Sequence, residues 1–465
     1  MSIHGVAHQK AAIAARIVGQ RGEATSARII DETPSPRLEA ADAGKEQEQE
    51  QSLPRLLEQV LARENLRRAW KRVKKNRGAA GVDGKDILQT GLHLQSAWPQ
   101  IRQALLTGRY RPEPVRRVMI EKPDGSLREL GIPTVTDRLI QQALLQVLQP
   151  MIDPSFSEHS HGFRPGRRAQ DAVLKAQQQV QAGYTIVVDV DLEKFFDRIN
   201  HDVLMERLKR RIEDDGVIRL IRAYLNAGIM GVNGVVAERE QGTPQGGPLS
   251  PFLANVLLDE VDRELERRGH RFERYADDCN VYVKSQRAGE RVMNQLKRLY
   301  GKLRLKINES KSAVASALGR KFLGYSLWAA PKGEVKRAVS QKSCVAFKAR
   351  IRRLTRRSAG RSMEELVLPL RRYVLGWRAY YGLAQTPGVW RELDGWMRHR
   401  LRSIQLKHWK RGKTAYRECL KLGAPGWLAR KVAANCKRWW HNSGHSLNGV
   451  LTVAYFDRLG FPRLT

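Results

Sequence analysis

The sequence predicts an α+β fold, with strands, hairpins and helices mixed over the first two-thirds and helices alone in the final third. Three observations predict it. Residues 116–128 and 271–284 each read as two short strand-like runs meeting at a turn, the pattern of antiparallel hairpins. The run Thr185-Ile186-Val187-Val188-Asp189-Val190-Asp191 is short, apolar and β-branched, as a buried strand is. After Lys336, apolar residues recur at three- and four-residue spacing, the period of a helix. At 465 residues the chain is long enough for two or three domains with proper cores.

Taken in order, residues 1–51 lack sustained periodicity and include a Glu/Gln alternation from Glu46, so a disordered extension is expected. Its first 22 residues carry Arg and Lys but no acid, a loose likeness to a transit peptide without a cleavage signal. A helix is expected after Ser52-Leu53-Pro54, ending in the glycine-rich loop 78–84. The first hairpin turns at Pro123-Asp124-Gly125, and Lys122 and Arg128 flank that turn within reach of one phosphate. A helix follows from about Thr136. From Tyr184 a buried strand turns into a helix; period 2 puts Asp189 and Asp191 on one face and Val188, Val190 and Leu192 on the other. Carboxylates in such a strand are costly unless charge-compensated, for example by a metal, and the period does not choose between the two.

The segment Gln241-Gly242-Thr243-Pro244-Gln245-Gly246-Gly247-Pro248-Leu249-Ser250-Pro251 is a Gly/Pro loop, with Ser250 placed to cap the helix that Pro251 opens. Leu253, Leu257, Val261 and Leu265 stripe that helix at intervals of four. Its glycines permit close approach of backbone to a ligand. Further on, Ser362-Met363-Glu364-Glu365 is a capping box. The helix it starts carries Leu366, Leu370, Tyr373, Val374, Trp377, Tyr380 and Tyr381 on its apolar face.

The charge is lopsided. Lys and Arg number 83 against 48 Asp and Glu, a formal +35 that calls for a polyanionic partner. Residues 336–465 alone hold 29 Lys and Arg against 6 acids, and seven of the ten tryptophans. Cations interleaved with aromatics suit phosphate contact and base stacking, with most Trp buried and most Arg facing the ligand. No apolar run approaches bilayer length, so a membrane is not expected. The four cysteines lack C-x-x-C spacing, which argues against a zinc ribbon or disulfide framework. The segment His441-Asn442-Ser443-Gly444-His445 reads as a surface loop rather than a nuclease motif.

The chemistry centres on Tyr275-Ala276-Asp277-Asp278. An acidic pair at a hairpin tip is by itself an ordinary solvated turn. Nucleotidyl transfer, however, needs divalent metals held by carboxylates from separate strands, and Asp191 with Asp277 and Asp278 are candidates for that task. Lys122 and Arg128 would neutralise a triphosphate, the glycines of the 244–247 loop would face template or nucleotide, and the Phe196 ring would exclude a ribose 2′-hydroxyl.

In order along the chain stand GAAGVDG, EKPDGSLRELGIPTVTDRLIQQAL, HSHGFRPGRRAQDAV, VDVDLEKFFDRINHD, QGTPQGGPLSPFLANVLLDEVD, YADD, LKINESKS and FLGYSL. These resemble the successive blocks of group II intron-encoded reverse transcriptases. RRYVLGWRAYYGLAQTP and LRSIQLKHWKRGKT resemble that family's maturase (thumb, or X) domain. The resemblance covers roughly residues 52–420. It implies a right-hand polymerase with fingers and an antiparallel palm sheet over 52–335, a helical thumb/maturase domain over 336–421, and a short basic DNA-binding tail over 422–465. The resemblance implies an endonuclease-lacking form.

Carried over by position, the resemblance makes Asp191, Asp277 and Asp278 the catalytic aspartates, holding two Mg²⁺ ions together with Leu192, with Mn²⁺ able to substitute. Lys122, Arg128, Phe196, Gln245 and Lys311 fall at nucleotide-binding positions. Arg371, Arg372, Arg378, Lys407, Lys410 and Arg411 are expected on RNA. The implied partners are intron RNA, target DNA with its primer 3′ end, and dNTPs, with a homodimer as the protein–protein contact allowed for. The implied place is the bacterial cytoplasm, at the nucleoid. Two rivals are carried: a domesticated reverse transcriptase of repair or phage defence, and a splicing-only maturase.

Overall fold

The computed structural model describes residues 55–121, 127–231 and 233–465, so the extension 1–51 and Lys122 lie outside the described residues. Helices α1 (Leu56–Val60), α2 (Arg63–Asn76) and α3 (Ile87–Leu106) come first, with the glycine-rich loop between the last two. Asp86 starts α3 through a reciprocal capping box with Gln89. Strands β1 (Val115–Glu121) and β2 (Leu127–Ile132) form the expected antiparallel hairpin, with Ile120 opposite Arg128. Glu121 pairs with Leu127, and the predicted turn at Pro123-Asp124-Gly125 lies outside the described residues.

Thr134 caps α4 (Val135–Ile152) by accepting from the Asp137 amide. Then follow α5 (Ala169–Gln181), β3 (Ile186–Val190), α6 (His201–Lys209), α7 (Asp215–Asn226), β4 (Ile229–Met230), β5 (Val236–Ala237), α8 (Ser250–Arg267), β6 (Arg271–Tyr275), β7 (Asp278–Val283), α9 (Gln286–Lys302) and β8 (Ala313–Ser316). One sheet has the order β2-β1-β4-β5 and forms the fingers. The palm sheet has the order β6-β7-β3-β8 and every pairing in it is antiparallel. The predicted stripe Leu253, Leu257, Val261 and Leu265 is buried in one core with Val188, Val190 and Leu192.

A third sheet, ordered β11-β10-β9, joins the palm to the helices: β9 (Lys321–Phe322), β10 (Tyr325–Ala329) and β11 (Val335–Val339). Helix therefore begins at α10 (Gln341–Leu354), a few residues later than the periodicity suggests, because Val335 to Val339 pair with β10. Next come α11 (Met363–Tyr381), α12 (Pro387–Trp409), α13 (Gly412–Lys421), α14 (Gly426–Ala434), α15 (Trp439–Gly444) and α16 (Val453–Arg458). The capping box of Ser362 and Glu365 is present at the start of α11.

Leu366, Leu370, Val374 and Trp377 share a single core with Leu447, Leu451, Phe456 and Leu464, so the boundary expected at 421/422 falls inside one packed unit. Two expectations about this region need correction. First, the tryptophans are not mostly buried: Trp377 and Trp409 are, but Trp427, Trp439 and Trp440 are exposed, and among the region's arginines only Arg398 and Arg402 are buried. Second, 441–445 is not a surface loop: residues to Gly444 complete α15, and buried Asn442 donates to the Val432 carbonyl at 2.9 Å.

Candidate active site

Strand β3 ends with Val190 opposite Cys279. Asp191 is the next residue after this last pair, and Asp278, the first residue of β7, is the neighbour of Cys279. Tyr275 pairs with Asp278, so only Ala276 and Asp277 turn the hairpin. A two-residue hairpin loop requires positive φ, and Ala276 supplies it at 59°. The left-handed conformation costs a non-glycine residue about 1–2 kcal/mol, so surrounding contacts must hold it.

The two acids of β3, open to either choice from periodicity, have different surroundings. Asp189 is ion-paired: Arg320 Nε donates to its Oδ2 at 2.7 Å. The Asn280 amide, oriented to satisfy both its ends, donates to Oδ1 at 3.1 Å. Burial raises the Asp189 carboxyl above its ordinary range and Arg320 opposes the rise. Asp191 lies just beyond the strand, where its amide donates to Ser312 Oγ at 3.0 Å and its carbonyl accepts from the Asn308 amide at 2.8 Å. Lys311 Nζ stands 3.9 Å from Asp191 Oδ1. Leu192 bridges to Ile307 and its side chain is buried.

The Gly/Pro loop links palm to fingers. The Thr243 amide donates to the Phe196 carbonyl at 2.8 Å, and the Gly131 amide of β2 donates to the Gln245 carbonyl at 3.2 Å. Gly242 has φ +87°, and a Cβ there would meet the Asp197 carbonyl oxygen at 2.8 Å. Phe196 is half-buried and meets Phe195 edge to face at 5.1 Å. Gln245 Nε2 donates to Asp197 Oδ1 at 3.3 Å. Burial raises the Asp197 carboxyl, the Gln245 bond opposing it. Sequence reasoning passed over Asp197, whose one sequence signal is its place next to Phe196. Ser250 does not cap α8: it is the first helical residue, and its hydroxyl donates to the Pro244 carbonyl at 2.8 Å.

Arg128 is half-buried on β2, opposite Ile120 of β1. Arg371, Arg372, Arg378, Lys407, Lys410 and Arg411 are all exposed, on α11 and at the end of α12. The first three share the outer face of α11 with exposed Leu368 and Leu375. Lys407 Nζ also donates to the Arg357 carbonyl at 2.7 Å.

Among the described residues, no three or more His, Cys, Asp or Glu side chains are drawn together as a metal-holding group. The side chains expected to hold metal, Asp191 after β3 and Asp277 and Asp278 at the hairpin, offer only oxygen donors. Such a set fits a hard cation that completes its shell with water and substrate phosphate. Among the described residues no helix is long and apolar enough to cross a membrane.

Residues 120–327 match the reverse transcriptase (RNA-dependent DNA polymerase) family, and residues 345–423 match the group II intron, maturase-specific domain. Protein YkfC of Escherichia coli (strain K12) is 32% identical over 319 residues, which span 59% of this chain and 83% of YkfC. Group II intron-encoded protein LtrA of Lactococcus lactis subsp. cremoris is 34% identical over 242 residues, 51% of this chain and 40% of LtrA. The putative COX1/OXI3 intron 1 protein of Saccharomyces cerevisiae is 35% identical over 167 residues, 36% of this chain and 20% of that protein. The chain thus spans most of YkfC but less than half of either intron protein. Neither rival reading is favoured by these relationships. With the reverse transcriptase and maturase segments in this order, the chain belongs to the group II intron-encoded reverse transcriptase/maturase family.

Proposed function

We propose that the chain is an RNA-directed DNA polymerase that binds its group II intron RNA, assists its splicing, and copies it into DNA by target-primed reverse transcription. The observation that supports the polymerase reading is the register of the palm sheet: Asp191 directly follows Val190, which pairs with Cys279, the neighbour of Asp278, and Lys311 Nζ stands 3.9 Å from Asp191 Oδ1. Asp191, Asp277 and Asp278, with the Leu192 carbonyl, would hold two Mg²⁺ ions, for which Mn²⁺ can substitute. When bound, such a pair activates the primer 3′-hydroxyl and stabilises charge on the transferred phosphate and the leaving pyrophosphate.

The chain's own groups do the rest. Lys311 offers an ammonium next to Asp191, where charge builds on the leaving group. Arg128 and Lys122, from the fingers hairpin, bind the triphosphate of the incoming dNTP. The Phe196 ring lies beneath the sugar and bars a 2′-hydroxyl. Gln245, tied to Asp197, orients template or nucleotide. On the helical third, Arg371, Arg372, Arg378, Lys407, Lys410 and Arg411 grip intron RNA through phosphates and shape rather than by reading base edges. The protein works on target DNA in the bacterial cytoplasm, at the nucleoid.

The test is Asp277→Asn, assayed for dNTP incorporation on an RNA template and for intron-RNA affinity. Incorporation is expected to vanish with affinity nearly intact. Wild-type cDNA synthesis by this variant would remove the metal assignment.

A further inference from the structure

Directly behind the acidic hairpin, Arg274 of β6 is fully buried, as are Asp262 of α8 and Glu273 beside it. Each N–H of the Arg274 guanidinium is engaged. Nε donates to Asp262 Oδ1 at 2.7 Å, and Nη2 donates to Asp262 Oδ2 and to Ser160 Oγ, the latter at 2.8 Å. Nη1 donates to Asn255 Oδ1 at 3.0 Å and to the Ala276 carbonyl at 2.9 Å. That last bond enters the two-residue turn itself, on the residue held at φ 59°.

The segment before α5 closes the bracket. Arg274 N donates to the His159 carbonyl and His161 N to the Arg274 carbonyl, both at 2.8 Å, so residues 159–161 run as an extra parallel edge beside β6. His161 Nε2 and His159 Nδ1 reach Glu273 at 2.7 and 3.3 Å. Asn255 Nδ2 donates to the Gly162 carbonyl at 2.8 Å. Gly162 sits so close to the turn that a Cβ there would lie 2.3 Å from the Ala276 nitrogen. On the other side Tyr275 packs against the core of the helical third.

Stability does not account for this arrangement. Replacing a buried ion pair by apolar residues of similar volume is often neutral or stabilising. What an apolar pair could not supply is a donor to the Ala276 carbonyl. We propose that Arg274 is a positioning residue for polymerisation: held by Asp262, Asn255 and Ser160, it locks the left-handed Ala276 turn so that Asp277 and Asp278 present their carboxylates toward Asp191. The proposal rests on the metal-holding role given to those aspartates. Arg274 touches neither substrate nor metal; it acts through the turn.

The test uses the full chain carrying Arg274→Met with Asp262→Leu, which removes both buried charges together. Thermal unfolding, affinity for intron RNA, and primer extension on a short RNA template across a Mg²⁺ titration are measured. The double variant is expected to melt near the wild-type temperature and bind RNA within about twofold, while extension falls about 100-fold, as a displacement near 1 Å in an active site produces. The Mg²⁺ concentration for half-maximal rate should rise, which a purely structural role would not cause. An unchanged Mg²⁺ requirement, whatever the rate, overturns the proposal. Should the double variant not fold, Gly162→Ala decides by the same titration: a raised Mg²⁺ requirement supports the positioning role and an unchanged one refutes it. Asp277→Asn in the same assay tests the underlying metal reading separately, since its normal extension would remove that reading whatever the Arg274 variants show.

Discussion

In the palm, Arg274, Asp262 and Glu273 are buried and bonded atom to atom, whereas on α11 Arg371, Arg372 and Arg378 stand in solvent. The two regions use charge for different ends. A buried guanidinium with every donor taken is held by its partners, and Arg274 carries one of those bonds into the turn at the Ala276 carbonyl. Exposed guanidiniums on a helix give a field and a set of adaptable phosphate contacts, which tolerate a ligand of irregular shape. Precision and grip are thus built from the same residue type, separated by burial.

The strongest attempt to break this contrast is to neutralise a strand-end acid. Asp191→Asn is expected to lower primer extension by at least about 1,000-fold, from loss of several kcal/mol of metal-borne stabilisation, while RNA affinity changes little. Equal loss of both functions would show that the two regions are not separable. A second attempt concerns folding. Trp377→Ala, in the core of the helical third, should cost about 3–5 kcal/mol in denaturant unfolding, whereas Trp427→Ala, at an exposed site, should stay within about 0.5 kcal/mol. A large loss at Trp427 would mean that it packs against something in solution.

Third, replacing Arg371, Arg372 and Arg378 together by Ala should weaken RNA binding and reduce the slope of log affinity against log salt by about 2, at roughly 0.7 per lost single-strand phosphate contact. Extension on a short template should suffer less than intron binding. The smallest effect is expected from Asp189→Asn. Its carboxylate serves Arg320 rather than substrate, so extension should fall by no more than about tenfold, the equivalent of one modest hydrogen-bonding change. A loss matching that of Asp191→Asn would put both acids at the chemistry.

Much of this was readable in the chain. The hairpin carrying Asp277 and Asp278, the β3 strand, the stripe on α8 and the Ser362 capping box all follow local periodicity or capping, which short stretches encode. The choice between Asp189 and Asp191 was not readable from period 2, because both point the same way; it took the family resemblance, and the Arg320 partner of Asp189 comes from more than a hundred residues away. The bracket around Arg274 was hidden for a related reason. Phe272, Glu273 and Arg274 are consecutive and all buried, since residues 159–161 cover the edge and face that alternation would leave wet. Ser250 had a capping role open to it, but the Pro244 carbonyl, brought near by the loop, took its hydroxyl. The exposure of Trp427, Trp439 and Trp440 depends on how α14 and α15 fold back, which no local pattern states.

The strand order of the palm also bears on how the molecule is made. Strand β3 sits between β7 and β8 and has no neighbour in the sheet among the strands that precede it. During synthesis its apolar run therefore waits for a partner until Asp278 and beyond have emerged, about 90 residues later, a delay of roughly 5–20 s at ordinary elongation rates. Through that interval Val187, Val188 and Val190 lack their strand partners, although Ala176 and Val180 of α5, which share a core cluster with Val187, have already been made.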